Sequence, residues 1–282
     1  MEFCDKGQIN YYSPSLRDTL MFLMELHNKG LSYSTINTAR SALSTTVDIP
    51  NFGSNPVVSR FMKGVFEIRK PTPKYTTVWD VSVVLRYLSG LYPNETLSLK
   101  KLSQKLLMLL LLVSSQRGQT MHLLDTSCMI IDRDKYVFRI NEHLKTSKPG
   151  NSNASVFVYA YLPDPKLCPL SCLKEYINQT VKLRGNTTKL FITYGKPHRA
   201  VSRDTISRWT KNVLNESGID TSIYSAHSTR AASTSKANLR QVPIDVIMNN
   251  AGWKSAETFR RFYNKPIDTE SSGTMTQAVL DM

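Results

Sequence analysis

The segment from Ser225 to Pro266, SAHSTRAASTSKANLRQVPIDVIMNNAGWKSAETFRRFYNKP, gathers side chains that can do chemistry together. It holds His227 and Arg230 in an H-x-x-R spacing, Gly252 followed by Trp253, and then Tyr263. An imidazole moves a proton, a guanidinium grips an anion through a planar fork of donors, and an indole N–H donates one hydrogen bond. A phenol oxygen attacks an electrophile as it loses its proton. Each residue also has a plainer use: His227 as a polar cap, Arg230 as a solvated or ion-paired helix residue, Trp253 and Tyr263 as core aromatics. The H-x-x-R pair is weak alone, since 5 His and 16 Arg in 282 residues give about 0.3 chance matches. The ordered set is far more specific.

The elements that must position these residues are mostly helices. Apolar residues recur at helical spacing in about 15–29 (Leu16, Leu20, Leu23, Met24, His27), 32–47 (Ile36, Ala39, Leu43, Val47) and 55–69 (Val58, Met62, Val65, Phe66), with Gly30 and Pro56 as stop and start signals. Residues 1–70 therefore read as a small helical domain. The run RKPTPK then breaks any helix, and residues 71–78 read as a linker. Two more helices, about 79–91 and 99–114, lead into short β-rich runs at 129–131, 136–140 and 156–162. The last two are joined by LKTSKPGNSNAS, which predicts an antiparallel hairpin with a mobile tip. Helices follow at about 170–183, 203–217, 227–239, 243–250 and 255–263. The fold class expected is mainly α with a small antiparallel β-sheet, with a second domain over 79–265 and a tail over 266–282.

Composition narrows the partners. The 282 residues carry 36 Lys plus Arg against 22 Asp plus Glu, a net +14, which favours a polyanion but leaves open nucleic acid, an anionic membrane surface or mere solubility. Residues 1–74 hold 9 basic and 6 acidic side chains, so a net +11 of the surplus belongs to residues 75–282. The basic residues are scattered between ordinary apolar stripes rather than lining an amphipathic basic helix, so nucleic acid is the better partner. The longest apolar run, LLMLLLLV at 106–113, falls short of the roughly 20 residues a membrane span needs and reads as a buried helix. MEFCDKGQIN lacks a signal-peptide core, so secretion is not expected. Cys4, Cys128, Cys168 and Cys172 have neither the density nor the spacing of a disulfide framework or thiolate zinc site; Cys168 and Cys172 read as small core residues.

The order H-x-x-R, Gly-Trp, Tyr resembles the C-terminal signature of the tyrosine recombinase and phage integrase family. The rest of that family's set is found upstream. Arg117, in VSSQRGQTMHLLD, matches the first arginine, although a cation at the end of an apolar helix can also serve to cap its dipole. Lys145, in RINEHLKTSKPG, matches the hairpin lysine, with Lys148 as the alternative. Where many relatives carry an acid three positions after the first arginine, this chain has Thr120. Trp253 in place of His, the KTS loop and the FRRFY ending resemble recombinases of eukaryotic mobile elements of the DIRS and Crypton kind. The N-terminal helices resemble the family's core-binding domain in type and position only.

The resemblance implies a site-specific DNA recombinase. A phosphodiester under attack gathers negative charge on its nonbridging oxygens. Arg117 and Arg230 would grip those oxygens, Trp253 would add a hydrogen bond, His227 would act as donor or acid/base beside the tyrosine, and Lys145 would protonate the leaving 5′ oxygen. Tyr263 would be the nucleophile, giving a 3′-phosphotyrosine that retains the phosphodiester energy, so neither metal nor cofactor is expected. The implied partners are double-stranded DNA and further copies of the chain, as a tetramer on two sites, with no membrane and no small-molecule substrate. The tail would dock on a neighbouring protomer. Localisation would be nuclear in a eukaryote and otherwise cytoplasmic. The other functions compatible with the residues are a type IB topoisomerase-like enzyme and a domesticated, non-catalytic DNA-binding protein.

Overall fold

The computed structural model describes residues 2–72, 75–142, 155–253 and 255–268. The chain divides into two compact units, Met1–Lys74 and Tyr75–Met282. In the first, helix α1 (Glu2–Gly7) is followed by α2 (Leu16–Asn28), α3 (Tyr33–Thr46) and α4 (Pro56–Ile68). The starts of these helices are written in the sequence. Ser15 and Asp18 form a capping box at α2, Ser32 caps α3, and Asn55 caps α4 just ahead of Pro56. Leu23, Ile36, Phe52, Val58, Met62 and Val65 form the core. Met24, one residue off the buried stripe, is exposed. Arg69 ends α4, and its guanidinium donates to the carbonyls of His27 (2.7 Å) and Leu31 (2.9 Å), holding the C-terminal ends of α2 and α4 together.

The second unit begins inside the stretch read as a linker. Strand β1 (Val78–Trp79) leads to α5 (Val81–Gly90), α6 (Leu99–Ser114) and α7 (Gly118–Leu123). Strands β2 (Met129–Ile131), β3 (Lys135–Phe138) and β4 (Val156–Tyr159) follow, then α8 (Pro169–Thr180), α9 (Arg203–Glu216), α10 (Ser228–Leu239), α11 (Ile244–Ala251), α12 (Ala256–Phe262) and β5 (Ile267–Asp268). Strands β2, β3 and β4 form the antiparallel sheet expected from the sequence, with Phe138 opposite Val156. Its connecting segment, 143–154, lies outside the described residues, as do Lys145, Lys148 and the tail from 269 onward.

Helix α6 is the spine of this unit. Leu102 and the run Leu106–Leu112 are buried, and α8, α9 and α10 pack around them. Burial on nearly all sides explains why the run Leu106–Leu112 is apolar all round. Lys105 sits within it, fully buried, and its ammonium reaches the Leu91 carbonyl and the Asn94 side chain. Burial pushes the Lys105 pKa down. Two features escaped the sequence reading: helix α7, and the parallel pairing of β1 with β5, Val78 against Ile267 and Trp79 against Asp268. Among the described residues no helix is long and apolar enough to cross a membrane.

Candidate active site

Three helix ends and one helix start meet around Arg230. Helix α6 stops at Ser115, whose φ of 51° turns the chain sharply. The turn aims the Ser115 carbonyl at Arg230 Nη1, 3.0 Å away, while the Ser115 hydroxyl meets that of Ser233 at 2.8 Å. A second carbonyl, that of Ala251 at the end of α11, accepts from Arg230 Nη2 at 2.7 Å. These bonds fix the guanidinium although it is only 2% exposed. Arg230 Nε has no partner among the described residues.

Gly252 then performs the function that only a residue tolerant of positive φ does cheaply. With φ at 68° it ends α11 in the left-handed conformation, and the Trp253 amide closes the turn onto Met248 O at 2.9 Å. Trp253 is thereby turned inward, with the Arg230 guanidinium 4.4 Å from its ring centre and the Tyr263 ring 4.5 Å away. Its indole N–H is buried without a partner among the described residues. Such an orphan donor costs free energy unless something arrives to accept from it.

Tyr263 stands at the end of α12, half-buried. Its hydroxyl lies 3.3 Å from His227 Nε2, and its ring centre lies 5.4 Å from the Arg230 guanidinium. His227 is exposed and is the N-cap of α10, with no side-chain cap bond. The start of α10 is itself anchored, because the Trp79 indole donates to Ser228 Oγ at 2.8 Å and Ser228 Oγ donates to Ser225 O at 2.6 Å.

Arg117 is the N-cap of α7 and makes no side-chain cap bond. Arg117 also stands two residues past Ser115, the C-cap of α6, where a cation complements that helix's dipole. The Thr120 hydroxyl donates to Gln116 Oε1. The Arg117 charge acts on Arg230. Burial first, and then the Arg117 cation, lower the Arg230 pKa against an opposing effect of the Tyr263 phenol, leaving it at about 10. Neither guanidinium group has a carboxylate partner among the described residues. Two like charges that act on one another, one of them buried, are relieved by an anion between them.

The structure thus brings together Arg117, His227, Arg230, Trp253 and Tyr263. Lys145 falls outside the described residues. The sequence reading missed Ser115, Ala251 and Ser228, which act largely through backbone carbonyls or as anchors and leave no side-chain motif. Among the described residues no cluster of His, Cys, Asp and Glu is arranged to hold a metal ion.

A family model, the phage integrase family, matches residues 91–269, and the chain belongs to that family of tyrosine recombinases. Solved structures share the fold. XerH site-specific recombinase bound to palindromic difH substrate, a post-cleavage complex, superposes with a TM-score of 0.62 at 15% identity, over 93% of this chain and 71% of that one. The Tn1549 transposon integrase in complex with transposon right-end DNA gives 0.59 at 12% identity, over 95% and 86%. A lambda integrase tetramer bound to a Holliday junction gives 0.52 at 16% identity, over 90% and 67%. No curated protein matches the sequence.

Proposed function

We propose that the chain cleaves and rejoins DNA strands through a phosphotyrosine at Tyr263, in the service of a mobile element's integration and excision. The observation that carries this reading is the buried Arg230, acted on by the Arg117 charge and without a carboxylate partner among the described residues, beside a tyrosine hydroxyl 3.3 Å from an imidazole. A phosphodiester supplies what that site lacks. Its nonbridging oxygens would accept from both guanidinium groups and from the orphan Trp253 indole. Tyr263 Oη would attack phosphorus, His227 would take or share the phenol proton, and the 5′ oxygen would leave with a proton from Lys145. The phosphorus stays bonded to the 3′ oxygen, so a free 5′ hydroxyl on another strand reverses the step and joins the strands. The DNA-bound state of the XerH and Tn1549 structures supports duplex DNA as the partner, and the lambda integrase tetramer supports assembly of several copies on DNA.

The test compares wild type with Tyr263→Phe on duplexes carrying a nick just beyond the scissile phosphate, so that the cleaved end diffuses away. Wild type is expected to accumulate a covalent protein–DNA adduct, and Tyr263→Phe to bind the duplex with unchanged affinity while forming none. An adduct from Tyr263→Phe would exclude this nucleophile.

A further inference from the structure

Helix α12 ends at Tyr263, so the carbonyl of that residue has no partner in the helix ladder. The amides behind it are spoken for, because Tyr263 N donates to Phe259 O at 2.9 Å and Asn264 N donates to the same oxygen at 2.8 Å. The orphan carbonyl is met from another helix. Ser235 Oγ, on α10, donates to Tyr263 O at 2.7 Å and accepts from the amide of Lys265 at 3.0 Å. One hydroxyl therefore holds the peptide unit on each side of Asn264. Ser235 is buried at 3% exposure. The grip is seconded by Asn238 Nδ2, which donates to Asn264 Oδ1 at 3.2 Å, and by Val78 N, which donates to Pro266 O at 2.8 Å ahead of the β1–β5 pairing.

The same helix carries His227 at its cap and Arg230 in its first turn. A single rigid element thus holds the groups proposed to meet the phosphate and, through Ser235, the backbone of the residue proposed to attack it. We infer that Ser235 is a positioning residue for the nucleophile: its hydroxyl clamps the chain on both sides of Asn264 and sets the reach of Tyr263 toward a phosphate bound at Arg230. The inference rests on the proposed role of Tyr263. A nucleophile displaced by about an ångström loses on the order of 100-fold in rate, because the oxygen must meet phosphorus in line with the leaving group. The Tyr263 carbonyl is already taken by Ser235, so loss of the clamp is expected to leave duplex affinity unchanged.

The test is single-turnover adduct formation on a nicked duplex at saturating protein, alongside DNA affinity and melting temperature, for wild type, Ser235→Ala, Ser235→Cys and Ser235→Thr. Ser235→Ala removes donor and acceptor, Ser235→Cys keeps the size but weakens both, and Ser235→Thr keeps the hydroxyl. The expected result is a fall of on the order of 10- to 100-fold for Ala and Cys with unchanged duplex affinity, and recovery to within a few-fold of wild type for Thr. Should Ser235→Ala melt below the assay temperature, Ser235→Cys gives the same reading. Wild-type rates in Ala or Cys, a Thr variant as slow as Ala, or a loss that follows DNA affinity would each overturn the inference while leaving Tyr263 as nucleophile. A wild type that forms no adduct would overturn both.

Discussion

Arg230 is a buried side chain whose orientation the protein itself fixes. Its two bonds to the Ser115 and Ala251 carbonyls orient the fork, and burial keeps competing water away, yet the price is a cation whose pKa has dropped to about 10. Lysine, a point charge with no planar fork, cannot hold both carbonyls and present donors to a phosphate. Arg230→Lys is therefore expected to lose about 1–3 kcal/mol of stability from the unmet buried carbonyl and roughly 100- to 1,000-fold in adduct formation. Thermal unfolding and single-turnover cleavage measure the two effects, and a variant with near-normal cleavage would contradict the phosphate-gripping role. The Arg, His, Trp and Tyr positions were legible because their types and order are rare together. Their supports were not, since a carbonyl can come from any residue: nothing in the letters Ser115 or Ala251 marks an acceptor.

At the scale of elements, the start of α5 illustrates how the frame around the site is fastened. Asp80 caps α5 through the Ser82 amide and also pairs with Lys236 of α10 at 3.1 Å. Burial raises the Asp80 pKa, but hydrogen bonds from the Ser82 hydroxyl and amide and the Lys236 ammonium outweigh it and leave the carboxyl below its ordinary value. A depressed carboxyl contributes stability above the ordinary carboxylate range and loses that contribution as pH falls through the folded value beneath it. Asp80→Asn keeps the cap and removes the charge, so it should cost under about 1 kcal/mol at neutral pH, given the partial exposure of the pair. A series of melts at decreasing pH should show the gap to wild type closing in the acid range; a gap constant with pH would assign the loss to something other than the charge. Helices such as α2 and α4 were readable in advance because caps and apolar stripes are local signals. The β1–β5 pair was hidden because two-residue strands show no alternation and their partners are far apart in sequence. For the same reason Trp79, expected to open a helix, instead lies in β1 and anchors Ser228.

For the whole molecule, the charge balance takes on a specific meaning. Most of the +11 carried by residues 75–282 lies outside the site, on side chains suited to holding a DNA backbone without reading its sequence. Duplex binding should weaken steeply as salt rises, with log affinity falling linearly in log salt concentration, and a titration between low and moderate salt measures the slope. An affinity indifferent to salt would contradict a phosphate-holding surface. Arg117 and Arg230 belong to the same total, yet they are proposed to meet only the single phosphate under attack. The most direct measurement is therefore made on the covalent product itself. Wild-type protein is trapped on a nicked duplex in the presence of a metal chelator, the adduct is digested, and the DNA-bearing peptide is sequenced by mass spectrometry. The expected result is one modified peptide, with Tyr263 joined to a DNA 3′ phosphate and a free 5′ hydroxyl on the released strand. Attachment through another residue, attachment to a 5′ phosphate, or no adduct at all would contradict it.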